Sequence, residues 1–284
     1  MSQVEKMTGK SYLKRLVAIS FFLLLTSCRS LPGAEDVRVS SPQPSETVSP
    51  APTAGVENNQ LSVSSPDGKV RVTSRLDGGA FYYQVSRAGV EVIKPSRLGF
   101  TFKEASPLNS GLVIASWERH SVDESWVQPW GEVKEIRNHY NELQVELEES
   151  TPNPRRMVVV FRVYDDGLGF RYELPEQENL AQFEIMDEET EFVLTGNHLV
   201  WRIPAYNELR YELLYRQFPV NEMKTVHTPL TMETADGLFL SFHEAALTDY
   251  AAMTLTAPGD NTLQCELVPW SDGVKVRGYT PHQT

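Results

Sequence analysis

Cysteine is scarce in this sequence: only two residues, Cys28 and Cys265, occur among 284. Such a count excludes a small fold that is held together by a framework of disulfides. Cys265 lies in the alternating stretch 262–268, which is typical of a strand, and no base stands beside it that would lower the pKa of its thiol. We therefore expect a hydrophobic core to stabilise the protein, and we expect no cysteine nucleophile.

Long apolar runs are also missing. The run Leu16–Leu25 has ten residues, well short of the roughly 20 that a membrane-spanning helix needs. Basic residues precede it between positions 6 and 15, and the small residues Thr26 and Ser27 follow it. This order of positive charge, apolar core and small residues predicts a secretory signal peptide over residues 1–27.

Cys28 directly follows that segment. The four residues Leu25-Thr26-Ser27-Cys28 resemble a bacterial lipobox, in which cleavage falls before the cysteine and its sulfur receives a diacylglycerol. Each buried methylene contributes about 0.8 kcal/mol to membrane binding, so several acyl chains make a firm anchor. The resemblance implies lipidation of Cys28 and attachment to a membrane. The alternative is an ordinary secretory signal in which the cysteine is incidental.

Residues 28–60 contain no aromatic residue and are rich in proline, serine, threonine and alanine. Such a composition buries too little apolar surface to offset the entropy of an ordered chain. We expect a disordered tether between the lipid anchor and a folded domain.

From Leu61 onward the sequence alternates between apolar and polar residues in short segments, and turn residues separate them. No amphipathic helix of ten or more residues is apparent. Many short strands with tight turns predict an all-β domain over residues 61–284, a large antiparallel β-sandwich. The stretch "LGFTF" at 98–102 predicts one of its strands, and the predicted tight turns lie at Pro66-Asp67-Gly68, Arg87-Ala88-Gly89, Asp165-Asp166-Gly167 and Ala235-Asp236-Gly237.

Common catalytic motifs are missing as well. The sequence has no Gly-x-Ser-x-Gly elbow, phosphate-binding loop, His-Glu-x-x-His or Cys-x-x-Cys, and its six histidines are scattered. A net charge of −12 makes nucleic acid a poor partner. Short motifs therefore indicate neither an active site nor a nucleic-acid interface.

Three stretches, 122–143, 201–219 and 241–253, combine aromatic and polar residues in the way that sugar binding requires, because pyranose faces stack on rings and hydroxyls bond to polar groups. For a single tryptophan, a place in the core is the commoner outcome, and Glu208 and Glu212 are equally consistent with solvated charges beside arginines. The candidate sugar-binding residues are Trp130, Trp201, Tyr206, Tyr211, His243 and Glu244.

Several segments together resemble the amino-terminal domain of glycoside hydrolase family 97. They include "QPWGEVKEIRNHYNEL", "FRVYDDGLGFRYELP", "WRIPAYNELRYELLYRQFP" and "HTPLTMETADGLFLSFHEAALTDYAAMTL". Members are α-glucosidases and α-galactosidases, in which a β-sandwich precedes a catalytic (β/α)₈ barrel. The resemblance implies a galactose-mutarotase-like supersandwich, an α-linked oligosaccharide as ligand, and a periplasmic or outer-membrane location in a Gram-negative bacterium.

The resemblance also implies that catalysis requires a barrel, because the catalytic carboxylates of the family belong to it. We expect no catalytic residue here and no hydrolysis by this chain alone. The sandwich of the family supplies one carboxylate to a calcium ion; "YELLYR" at 211–216 matches that segment, which makes Glu212 the first candidate and Glu208 the second. We expect calcium to bind only when a barrel is in place. That barrel is either a separate polypeptide or missing. The alternatives are a non-catalytic, lipid-anchored module for glycan binding or docking, and a fragment of a truncated gene.

Overall fold

The computed structural model describes residues 60–206 and 212–283. The predictions for the signal peptide, Cys28, the tether, Glu208 and Tyr211 lie outside the described residues. Within them, the chain forms twenty strands and two short 3₁₀ helices, at Glu178–Leu180 and Val220–Glu222. The predicted all-β class is confirmed. No helix of the described part is long and apolar enough to cross a membrane.

The strands are short except for two long ones in the middle of the chain. The first ten are β1 (Gln60–Ser64), β2 (Val70–Asp77), β3 (Ala80–Arg87), β4 (Val90–Leu98), β5 (Phe100–Phe102), β6 (Leu112–Val127), β7 (Glu135–Glu149), β8 (Arg156–Val163), β9 (Leu168–Leu174) and β10 (Gln182–Glu188). The other ten are β11 (Glu191–Leu194), β12 (Leu199–Arg202), β13 (Arg216–Pro219), β14 (Val226–His227), β15 (Leu230–Glu233), β16 (Phe239–Phe242), β17 (Met253–Gly259), β18 (Thr262–Leu267), β19 (Val276–Tyr279) and β20 (His282–Gln283).

These strands form four antiparallel sheets. The largest has the order β1-β2-β3-β4-β11-β18-β17-β14, and it faces a five-stranded sheet of order β20-β9-β8-β7-β6, with β2 lying over β6 and β8. Two smaller sheets, β19-β10-β5 and β13-β12-β15-β16, complete the structure. Two large sheets packed face to face are the arrangement of a sandwich.

The core lies between the two large sheets, where alternating residues of each strand point inward. In β2, for example, Val70 and Val72 are buried while Arg71 between them is exposed. Aromatic rings join the two layers: Tyr83 of β3 lies 6.1 Å from Phe161 of β8 and 5.4 Å from Phe170 of β9, measured between ring centroids. The inward side chains of both sheets thus form one continuous core.

All four predicted tight turns connect hairpins: β1 to β2, β3 to β4, β8 to β9, and β15 to β16. The strand predicted over 98–102 is present as β5 but begins only at Phe100, because Leu98 ends β4 and the chain divides between these two strands, which belong to different sheets. Gly99 stands at the division, and a Cβ on it would lie 2.7 Å from the Cβ of Asn109. Only glycine allows the Asn109 segment to approach so closely where the chain changes sheets.

Candidate functional site

A cavity of about 540 Å³ opens beside β9, where residues of the five-stranded sheet, of β2 to β4 in the eight-stranded sheet and of the 238–253 segment line it. Six consecutive residues, Gly167–Tyr172, line it. Successive residues of a strand point to opposite faces, so a wall that includes all of them must follow the edge of the strand rather than one face. The cavity therefore runs along the outer edge of β9.

The walls of the cavity are mostly apolar and aromatic. Phe170 is one of the lining residues, with the ring of Tyr172 6.1 Å away and that of Phe192 6.5 Å away, and the aliphatic side chain of Leu240 adds to the lining. Five charged residues also line the cavity, namely Arg87, Arg162, Arg171, Glu188 and Glu244. Such a mixture suits a ligand with an apolar body and a few polar groups.

Glu188, at the end of β10, is the most deeply buried of these charged groups, with 8% of its surface exposed. Thr190 donates a hydrogen bond of 2.6 Å to its Oε1, and the hydroxyl of Tyr250 donates one of 2.7 Å to its Oε2. Burial raises the pKa of Glu188 above its ordinary value, although these hydrogen bonds oppose the shift.

Two of the predicted sugar-binding residues, His243 and Glu244, also line the cavity. The side chain of Glu244 accepts a hydrogen bond of 2.7 Å from the backbone N–H of Met253, which holds the turn after β16 against β17. Burial raises the pKa of Glu244 as well, and the nearby Glu188 adds to the shift. Nδ1 of His243 lies 3.1 Å from the backbone oxygen of Glu244.

The other described candidates lie elsewhere. Trp130 is 83% exposed at the tip of the β6–β7 hairpin, and Trp201 of β12 stacks on Phe239 with 6.0 Å between ring centroids. Tyr206, which follows β12 in the sequence, is 57% exposed and has φ of +58°. Glu212, the first described residue after position 211, is also exposed. Of the predicted site residues that the structure describes, the cavity thus brings together only His243 and Glu244.

The described residues do not form a calcium site by themselves. Among residues 60–206 and 212–283, no group of three histidine, cysteine, aspartate or glutamate side chains is placed to hold a metal ion. Calcium takes six to eight oxygen ligands, so the single exposed carboxylate of Glu212 has the right chemistry and far too few companions.

Sequence reasoning missed Glu188, Thr190 and the rings around Phe170. Cys265 was correctly predicted as a strand residue: it is buried in β18, and burial raises the pKa of its thiol far above the ordinary value. An unpaired, protonated thiol in this position is not a nucleophile.

A comparison with known families settles where the chain belongs. The family model described as the glycosyl-hydrolase 97 N-terminal domain matches residues 63–281. The chain belongs to this family.

Relatives of this family 97 domain are longer proteins. A retaining α-galactosidase of Bacteroides thetaiotaomicron is 23% identical over 226 residues, which are 74% of this chain and 32% of that protein. A solved family 97 enzyme from Pseudoalteromonas sp. strain K8, in complex with acarbose, is 37% identical with a TM-score of 0.77 and matches 79% of this chain. A β-arabinopyranosidase structure, 19% identical with a TM-score of 0.72 over 79% of this chain and 38% of that one, shares the fold. The chain spans about a third of the length of these relatives.

The raised pKa of Glu188 makes the stability of the family 97 domain depend on pH. The folded protein keeps a proton that the unfolded chain releases above about pH 4.3, so this group destabilises the fold as pH rises from there through its raised folded pKa. Glu188→Gln removes the titrating group. In urea unfolding, we expect the free energy of unfolding of this variant, minus that of the unmodified protein, to increase as pH rises. Glu222→Gln, an exposed change, serves as the control. A stability difference for Glu188→Gln that stays constant with pH would contradict the assignment.

Proposed function

We propose that this chain is the sandwich that works with a catalytic barrel in a family 97 glycoside hydrolase, helping to bind an α-linked oligosaccharide and giving Glu212 to a calcium ion. The observation that carries the proposal is the family match over residues 63–281. The relatives support it, since they include an α-galactosidase and an enzyme solved with acarbose. A lipid at Cys28 would hold this assembly at the periplasmic side of an outer membrane.

The surface around Glu212 supports docking to another domain. Leu214 is 84% exposed and Tyr215 is 55% exposed, and Tyr206 lies exposed at the other end of the same connection between β12 and β13. Large apolar side chains that stand together at a surface are typical of an interface. A barrel that covered these residues would also bring its own carboxylates towards Glu212.

The chemistry of glycoside hydrolysis explains why a partner is needed. Two carboxyl groups must flank the glycosidic bond at a fixed separation, one to protonate the leaving oxygen and one to act on water or on the sugar. The acidic residues of the cavity do not provide this pair, because Glu188 is enclosed by its hydrogen bonds to Thr190 and Tyr250. The sandwich therefore contributes binding and positioning, and the barrel contributes the reaction.

Complementation in trans tests the proposal. The full chain is mixed with the Pseudoalteromonas sp. strain K8 enzyme expressed without the third that this chain matches, and hydrolysis of aryl α-glucosides and α-galactosides is followed while calcium is varied. We expect turnover only when both polypeptides are present. Glu212→Gln should raise the calcium concentration for half-maximal rate about tenfold or more, because a charged ligand is lost.

Glu222→Gln is the matched control, since it removes an exposed carboxylate on the short helix that follows β13. An unchanged calcium titration for Glu212→Gln would remove Glu212 from the metal site and leave the docking intact. Hydrolysis by this chain alone, or no hydrolysis by the mixture, would contradict the division of work between sandwich and barrel.

A further inference from the structure

The five-stranded sheet carries an enclosed cluster of polar and aromatic side chains on the face that points away from the core. Leu143 of β7 lies opposite Phe161 of β8, and both are fully buried in the core. The residues before and after them therefore point to the other face, and directly opposite residues of neighbouring strands share that face. We define the outer-face cluster as Glu124, Asn138, Tyr140, Glu142, Arg162 and Tyr164.

Arg162 is held in a fixed orientation within this cluster. Its Nε donates a hydrogen bond of 2.6 Å to Oε2 of Glu142, and its guanidinium group lies over the ring of Tyr140, 4.8 Å from the centroid. Nε2 of Gln144 donates one of 2.7 Å to Oε1 of the same carboxylate. Among the described residues, Nε is the only atom of the Arg162 side chain with a hydrogen-bond partner. The two Nη atoms therefore stay available to a ligand.

The rest of the cluster aligns an amide with a ring. Nδ2 of Asn138 donates a hydrogen bond of 2.7 Å to Oε1 of Glu124, and the hydroxyl of Tyr164 donates one of 3.3 Å to Oδ1 of Asn138. The rings of Tyr140 and Tyr164 lie 5.2 Å apart between centroids. Asn138 is 7% exposed and Glu142 is 5% exposed. Burying charged pairs rarely adds stability compared with apolar residues, so the arrangement is better explained by what it presents to the adjacent space.

That space is part of the cavity described above. Asn138, Arg162 and Tyr164 line it, and so does Trp126 of β6, which is two residues from Glu124 and points to the same face. Trp126 and Tyr164 are half-buried, so part of each side chain is accessible. Aromatic rings, a forked donor and an amide thus converge on one space from neighbouring strands.

The charges of the cluster favour a neutral ligand. Two carboxylates, those of Glu124 and Glu142, accompany the single guanidinium group of Arg162, so an anion gains no net attraction. A metal ion is not favoured either, because no three suitable side chains of the described chain are placed to hold one. A sugar ring matches these groups, since its C–H face packs on aromatic rings and its adjacent hydroxyls bond to polar groups.

We infer that the outer-face cluster, together with Trp126, binds a neutral pyranose. The ring of Trp126 packs against the C–H face of the sugar, and the two Nη atoms of Arg162 donate to adjacent hydroxyl groups. The site needs neither calcium nor Glu212. Only the choice of an α-linked sugar as its ligand rests on the proposed function.

Calorimetric titration of the full chain with maltotriose, an α-linked glucose trisaccharide, tests the site in the presence of EDTA. We expect saturable binding. Trp126→Ala should weaken it about tenfold, because the stacking ring is lost. Trp130→Ala is the matched control, since this tryptophan belongs to the same hairpin and is 83% exposed at its tip. Its affinity for maltotriose should equal that of the unmodified chain.

Arg162→Lys tests the forked donor. Lysine keeps a positive charge beside Glu142, so the urea midpoint should change little, whereas the loss of the planar fork should weaken maltotriose binding about tenfold. An unchanged affinity in either Trp126→Ala or Arg162→Lys would overturn the inference, as would a failure of the unmodified chain to bind maltotriose. Tighter binding of a galacturonate trisaccharide than of maltotriose would overturn the assignment of a neutral ligand.

This titration and the complementation assay can fail independently. Maltotriose binding in EDTA uses neither a barrel nor calcium. Binding without complementation would keep this site and contradict the proposed function, and complementation without binding would remove only this site.

Discussion

Replacing Phe100 with alanine is expected to lower the free energy of unfolding by about 3–5 kcal/mol. The side chain is completely buried in β5, and its ring meets that of Tyr172 edge-on, with 4.6 Å between centroids. Phe102, two residues further, lies 6.2 Å away. Phe100 therefore joins the small sheet β19-β10-β5 to the five-stranded sheet, and its removal would leave a cavity where two sheets meet.

Urea unfolding of the full chain measures this loss as a lower midpoint with an unchanged slope. Trp130→Ala is the matched aromatic control, because that ring is 83% exposed at a hairpin tip; its effect should stay within about 0.5 kcal/mol. If the two substitutions shifted the midpoint equally, Phe100 would not hold the core position that the structure gives it.

The second large effect is expected at Arg155, where alanine should cost about 3–5 kcal/mol. The guanidinium group is buried; its Nε donates to Oε2 of Glu149 at 2.8 Å, and its Nη1 donates to the backbone oxygen of Ser106 at 2.8 Å. It also lies over the ring of Phe102, 5.6 Å from the centroid. Arg155→Ala would leave Glu149 as an unpaired carboxylate and would detach the loop after β5 from the β7–β8 turn.

The pH dependence of this loss identifies its cause. The hydrogen bonds from Arg155 hold the pKa of Glu149 below its ordinary value. The pair therefore stabilises the folded protein above the unfolded pKa of about 4.3, and this stabilisation disappears as pH falls through the lowered folded pKa. We expect the difference between the unmodified protein and Arg155→Ala in urea unfolding to shrink over that range. Arg277→Ala, which breaks exposed pairs with Glu184 and Asp272, should change stability far less.

A loss at Arg155 that did not vary with pH would point to packing against Phe102 rather than to the ion pair. The double substitution Arg155→Met with Glu149→Leu separates the same two causes. It removes both charges while keeping side-chain volume, so it should recover much of the stability that Arg155→Ala loses.

The hairpins of the fold could be predicted from sequence because their signals are local. Pro66-Asp67-Gly68 and Ala235-Asp236-Gly237 lie between alternating segments that pair with each other directly, so turn chemistry and alternation agree. The division at Gly99 could not be predicted in this way. It depends on the close approach of Asn109 to Gly99, and no local sequence pattern predicts this contact.

Glu188 shows why the cavity remained hidden. In β10, Phe183 and Ile185 are buried, so strict alternation predicts that Asp187 points inward and that Glu188 is exposed. A β-bulge between Ile185 and Asp187 reverses the order and turns Glu188 into the interior. In the sequence, the acidic run Asp187-Glu188-Glu189 looks like a solvent-exposed turn. In the structure, Glu188 is among the most deeply buried charged residues of the described chain.

The pairing of Leu174 with His282 determines when the five-stranded sheet can be completed. Strands β1 to β4 can pair as soon as each hairpin has been synthesised, since their partners are adjacent in sequence. The outer edge of β9 instead waits for a strand that is synthesised after β10 to β19, and distant pairings form late because long loops must close first. Until β20 is in place, the backbone of Glu173 and Leu174 has no partner strand on this side, and unpaired strand edges make partly folded chains prone to aggregation.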